Sequence, residues 1–177
     1  EARRRFAGAW SRMATSAQLE QTVRAVAERA FWDALSERVA AGEYDALFSV
    51  LGEMQQAMRA LVAHSPRAVA ELADKFDADW LKQRVDHGAL EVESVVGLMR
   101  YIARTIAEWQ APADEEQARA WLASTEEVLR AHEGSDDLAA FISAHLVPFL
   151  RGANEWLGRV YQRTVEFLEE HGAAARQ

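Results

Sequence analysis

Histidine is the side chain best suited to moving protons near neutral pH, and it occurs at His64, His87, His132, His145 and His171. Catalysis by histidine needs a partner at a defined spacing: a serine or aspartate for nucleophile activation, or a second histidine to hold zinc. The nearest approach to a zinc-hydrolase His-Glu-x-x-His is "AHEGSDD", which offers His132 and Glu133 but no second histidine. His64, His87, His132 and His171 fall at or near the ends of apolar-periodic segments, where an imidazole interacts well with the helix dipole. His145 sits inside an apolar stretch and reads as a partly buried structural histidine. The carboxylates give no stronger signal. "ADKFDADW" holds Asp74, Asp77 and Asp79, yet the mid-loop glycine and terminal glutamate of a calcium loop are missing, so helix capping accounts for them. Glu126 with Glu127, and Glu169 with Glu170, are adjacent in sequence and diverge on a helix, which suits a solvated face rather than an acid/base pair. The nine glycines are scattered singly, so no phosphate cradle is formed, and the absence of cysteine excludes disulfides, thiolate nucleophiles and cysteine-ligated metals. The expectation is a chain with no catalytic residue, no cofactor and no metal.

Binding chemistry is constrained by charge. Twenty-eight acidic against 20 basic residues give a net charge of −8, which argues against nucleic acid, whose affinity comes from neutralising phosphates with cations. Arg3, Arg4 and Arg5 form the dense basic cluster, at a start without an initiator Met that reads as the edge of a trimmed chain. "PFLRGANEWLGRVYQ" pairs Phe149 and Trp156 with Arg151, Arg159 and Arg163 in the manner of a calmodulin-target helix, but Glu155, Glu166, Glu169 and Glu170 dilute the charge and core packing is the simpler reading. No apolar run approaches the roughly 20 residues that span a bilayer, so no transmembrane segment is expected, and a cysteine-free chain suits the cytoplasm.

The elements that hold these residues are helical. Only three prolines interrupt a sequence rich in Ala, Leu, Glu, Arg and Gln, and apolar residues recur at three and four positions almost throughout. Half of the 177 residues are hydrophobic, enough for one sizeable core. The pattern predicts an all-α, single compact domain of about seven or eight mostly antiparallel helices, over residues 16–177, with residues 1–15 as an extension that is flexible or a helical edge. The first helix should run from Ser16 to Ala41, with Leu19, Val23, Val26, Ala30 and Ala34 as one inward stripe and Phe31, Leu35 and Val39 as a second. That double stripe makes it a central helix. Asp45 to His64 follows, then a short helix capped by Ser65 with Pro66 at its first position, and another capped by Asp77 that Gly88 ends. Asp79 complements the dipole of that helix. Helices from Val92 to Trp109 and from Asp114 to His132 come next, the latter turning Trp121, Leu122, Thr125, Val128 and Leu129 inward. A seventh helix begins at Ser135–Asp137 and should break or kink at Pro148, and a last one covers Asn154 to His171. Gly52 and Gly97 lie inside helices and suggest close helix contacts.

Three stretches carry a family likeness. "AFWDAL" (30–35) and "DADWLKQRVDHGALEVESVVGLMRYIARTIAEWQAPADEE" (77–116), with "EYDALFSVLGEMQQAMRALV" between them, resemble the t-complex protein 11 family over about Val23 to Glu127. Phe31, Trp32 and Asp33 match the family's Phe-Trp-Asp. Asp79 lies in the second block, where Gln83, His87, Gly88, Ala89 and Leu90 match its Gln and Gly-Ala-Leu turn. Pro112, Asp114 and Glu115 match the proline and acidic pair after the long helix, although Gln110, Ala111 and Ala113 replace a cysteine before that proline and an arginine after it. The resemblance implies an all-helical, non-enzymatic domain linked to cAMP and protein kinase A signalling and, in animals, to sperm flagella. A cytoplasmic or flagellar module that binds protein partners, a calmodulin or kinase-pathway protein among them, is the resulting expectation. The alternatives are an adaptor whose last helix binds calmodulin or a membrane surface, and an enzyme with an unrecognised polar pocket. Within the first signature, Phe31 is expected in the core with Leu35, Trp32 as a bridge to a later element, and Asp33 as an anchor for a neighbouring loop.

Overall fold

The computed structural model describes the backbone of residues 2–174 and the side chains of residues 18–170. Among these residues every regular element is helical. In chain order they are α1 (Ala2–Ala40), α2 (Asp45–Leu61), α3 (Pro66–Lys75), α4 (Ala78–Asp86), α5 (Val92–Glu108), α6 (Glu115–Ala131), α7 (Leu138–Phe141), a π-helical turn (Ile142–Leu146) and α8 (Val147–Ala174). Local chemistry sets the boundaries. The Ser65 hydroxyl accepts from the Ala68 N–H at 3.4 Å, Asp77 Oδ1 from the Trp80 N–H at 2.9 Å, and Asp137 Oδ1 from the Ala140 N–H at 3.0 Å, so three helices start at side-chain caps. At the other end of α4, Gly88 takes φ +61°, and the N–H groups of Gly88 and Ala89 bond to the carbonyls of Val85 and Arg84. This Schellman closure needs the left-handed conformation that glycine adopts without strain.

The result is the expected all-α single domain. Its central rod is α5 rather than α1. Val92, Val95, Val96, Leu98, Met99, Ile102, Ala103 and Ile106 are all buried, which takes up most of the helix circumference and lets α5 pack on both α6 and α8. Between α6 and α8, Trp121 stacks on Phe149 at 6.0 Å and lies 6.0 Å from Trp156. Gly152 makes room for this cluster, since a Cβ there would come within 3.2 Å of the Trp121 indole nitrogen. α2 joins α8 and α4 through Leu47, Leu51, Met54 and Met58.

Several sequence expectations need correction. α1 begins at Ala2, well before Ser16, because nothing in this Ala-rich, proline-free stretch stops a helix. The inward stripe is not inward: Leu19 is 64 % exposed, Val23 and Val26 are similarly open, and Ala30 and Ala34 are exposed. Only Trp32, Leu35 and Val39 are buried among its described side chains, where α1 meets α2, α8 and the π turn. Periodicity marks an apolar face but does not supply a neighbour for it. Val128 of α6 is likewise exposed, while Leu129 is fully buried. Among the described residues, no atom of another element lies within 4 Å of the place a Cβ would take at Gly52 or Gly97, so neither marks a close helix contact. Of the two outcomes expected at Pro148, a break does not occur, and the departure from α geometry lies in the turn just before it. The chain runs on from α7 to α8 through the π turn, in which the Val147 N–H reaches the Ile142 carbonyl. A proline ring inside an α-helix collides with the carbonyl four residues back, here that of Ala144, and the wider turn relieves that collision. The side chains of Arg3 to Arg5 and of His171 lie outside the described residues.

Candidate functional site

A groove of about 580 Å³ lies between α3, α4 and α5. Its position follows from the corner at Phe76. That ring is fully buried, and the Phe76 carbonyl accepts a hydrogen bond from the Gln55 side chain on α2, so α3 and α4 are fixed at an angle with Asp77 at the apex. α4 buries Ala78 and Leu81 against α2, and Lys82 reaches Asp45 at the start of α2 at 2.7 Å. With those positions turned inward, Trp80 has to face outward, and it is 46 % exposed as a wall of the groove. The Arg84 guanidinium lies 5.3 Å from the centre of its ring, a cation–π contact one helical turn on. From α5, Gly97 and Leu98 form the floor and Tyr101 a second wall. Burial pushes the Tyr101 phenol up, and a hydrogen bond with Thr105 works against it. Asp74, Lys75 and Asp77 line the rim, with Lys75 paired to Asp74 at 2.9 Å.

The signature residues divide between core and surface. Trp32 is only 4 % exposed, whereas Phe31 is 49 % exposed and meets the indole edge-on at 5.2 Å, so Phe31 lies at the edge of the core rather than in it. Asp33 is exposed and makes no hydrogen bond among the described residues, which removes its expected role as an anchor. On α4, Asp79, Gln83 and His87 follow one another at four-residue spacing and form one exposed stripe beside Trp80 and Arg84. His87 donates from Nδ1 to the Gln83 carbonyl at 2.7 Å and so caps the helix end. Gly88 completes that turn, Leu90 is buried beneath it, and Pro112 is exposed at the far end of α5.

The T-complex protein 11 family model matches residues 10–159, which takes in both signatures, the groove and about the first half of α8. The chain belongs to the T-complex protein 11 family. It is 31 % identical over 101 residues to the human T-complex protein 11 homolog, an alignment covering 55 % of this chain and 20 % of that protein. The chain therefore spans about a fifth of that relative's length. No solved structure matches it.

Two other clusters in this T-complex protein 11 fold carry titratable groups. Arg100 and Arg104 of α5 both bond to Glu126 of α6, at 3.0 and 2.6 Å, and Arg100 also reaches Glu133 at 2.7 Å. Burial would raise the Glu126 carboxyl, but the hydrogen bonds from Arg100 and Arg104 outweigh it and hold it below the ordinary carboxylate value. This network fastens two helices and leaves no basic group free to act on a substrate. The second cluster places the His132 and His145 rings 4.1 Å apart beside Phe141, where burial, with His132 opposite, lowers His145. Among the described residues no group of three His, Asp or Glu side chains converges as a metal-ligand set, and no helix is long and apolar enough to cross a membrane.

Sequence reasoning missed Trp80, Arg84 and Tyr101 as site residues. A signal was present: in a nine-residue helix capped by Asp77, burial of Ala78 and Leu81 leaves Trp80 on the opposite face, and a large ring there has no partner within its own helix except Arg84.

Proposed function

We propose that this T-complex protein 11 domain is a non-enzymatic interaction module that binds protein partners through the groove between α3, α4 and α5. The observation that carries it is Trp80, an indole half open to solvent in the wall of that groove, beside the exposed Asp79, Gln83 and His87 stripe. Tryptophan is the residue most enriched at the energetic centre of protein interfaces. The described histidines and carboxylates that have partners serve caps, stacks and ion pairs, which supports binding over catalysis. A cytoplasmic or flagellar setting and a link to cAMP and protein kinase A signalling belong to the same proposal, since they come with the family resemblance. Affinity purification with the wild-type chain and with Trp80→Ala, followed by mass spectrometry, tests it. Partners retained by the wild type and lost by an equally stable Trp80→Ala are expected; an unchanged partner set overturns the assignment.

A second reading concerns the end of α8, where Val165, Phe167 and Leu168 are exposed. An apolar helix face of this kind is what calmodulin encloses. Calcium-dependent binding of calmodulin to the intact chain, abolished by Leu168→Asp, is the outcome that reading requires.

A further inference from the structure

We infer that the groove receives a cationic segment of its partner: an apolar anchor residue flanked by lysine or arginine. The inference depends on the groove being a docking site and goes on to name the chemistry of its occupant. The floor is apolar, formed by Leu81, Leu98 and the bare backbone of Gly97. A glycine in the middle of α5 weakens the helix, and because, among the described residues, nothing outside its own stretch of helix backbone lies within 4 Å of where its Cβ would be, packing inside the domain does not require it. What the missing side chain does is keep the floor open. The cavity volume falls within the roughly 300–1,000 Å³ range of clefts that enclose a ligand.

Charge then selects the occupant. Asp74 and Asp77 stand on the rim, and the charges of Glu71 and Glu108, opposed in part by that of Lys75, reach the Tyr101 hydroxyl at one wall. Lys75 is already paired with Asp74, and Arg84 lies against Trp80. The cations of the other side of α5, Arg100 and Arg104, are held by Glu126 and Glu133. With the Asp74–Lys75 pair neutral, Asp77, Glu71 and Glu108 still outnumber Arg84, and that excess of carboxylates favours an incoming cation and repels an acidic segment. Trp80 and Tyr101 add aromatic faces on which a guanidinium or ammonium group can rest. An apolar anchor in the floor with a basic residue on either side satisfies all of these features at once.

Selection of a phage-displayed random dodecapeptide library on the full chain tests the inference. The expected clones carry Lys or Arg next to an aliphatic or aromatic residue, and bind less tightly as salt rises. Gly97→Leu, which places a side chain in the open floor, should weaken them by about tenfold or more, and Glu71→Gln by about twofold to fivefold, the range of a single exposed ion pair. Trp80→Ala serves as a second blocking variant should Gly97→Leu fold poorly. Neutral or acidic clones that are lost in Gly97→Leu or Trp80→Ala would keep the groove as a docking site and overturn the cationic assignment. Clones indifferent to both variants, or no enrichment at all, would overturn the groove itself.

Discussion

Replacing the two adjacent rings of α1 one at a time separates a core residue from a surface one. Trp32 is 4 % exposed where α1 meets the rest of the domain, so Trp32→Ala removes a whole indole from the core and leaves a cavity. Truncations of this kind cost about 3–5 kcal/mol. In a domain of this size each kcal/mol moves the melting temperature by about 2–4 °C, which gives a fall of roughly 6–20 °C. Phe31 is half exposed and touches the edge of that indole at a centroid distance of 5.2 Å. Its removal forfeits one aromatic contact and part of its burial, about 1 kcal/mol or a shift of roughly 2–4 °C. Thermal and urea melts followed by far-ultraviolet circular dichroism measure both. Equal losses, or a greater loss for Phe31→Ala, would refute the placement of Trp32 in the core and of Phe31 at its edge.

Gly88→Val should destabilise by about 1 kcal/mol or more, because a β-branched residue is strained at φ +61°, and an unchanged melt would disprove the Schellman turn. For His145, burial together with His132 keeps the folded ring neutral, whereas the unfolded ring takes a proton near 6.5. Stability should therefore be insensitive to this group above pH 6.5 and fall as pH drops from there through the lower folded value; melts of His145→Gln across the same window should show a shallower fall. Glu126→Gln should cost about 1–2 kcal/mol, since it weakens two charge-assisted bonds between α5 and α6, discounted because Arg104 is largely open to water. A urea midpoint within error of wild type would mean that the network is ornamental.

Helix starts were legible wherever a short polar side chain does the capping, as at Ser65 and Asp77, because the cap bond depends on residues three apart in sequence. Much of the α5 core was legible for a similar reason: Val95, Val96, Met99, Ile102 and Ile106 recur at helical spacing, whereas burial of Leu98 and Ala103 as well depends on neighbours on more than one side. Tertiary questions were not. Leu19, Val23 and Val26 form as regular a stripe as the buried face of α5, yet no described element covers them, and spacing within one helix carries no information about that. The order of Phe31 and Trp32 depended on how α1 is rotated against its neighbours, and the groove depended on the α3–α4 corner that buries Phe76. The signature stripe on α4 could be read as a set of spacings, but its neighbourhood to Tyr101 and Gly97 is a product of the fold.

The π turn before Pro148 also fixes the phase of the last helix. A π turn accommodates about one residue more than an α turn, so it rotates everything after it by about 100° relative to an unbroken helix. Phe141 and Ile142 on one side and Leu150, Ala153 and Leu157 on the other thereby point into the same core, although no single 3.6-residue wheel aligns them well. The turn works as a gear: shortening it by one residue, for instance at the exposed Ala144, would swing the whole buried edge of α8 away from α5 without altering any side chain in that edge. In this chain, residue count between Phe141 and Val147 is as much a determinant of core composition as residue identity.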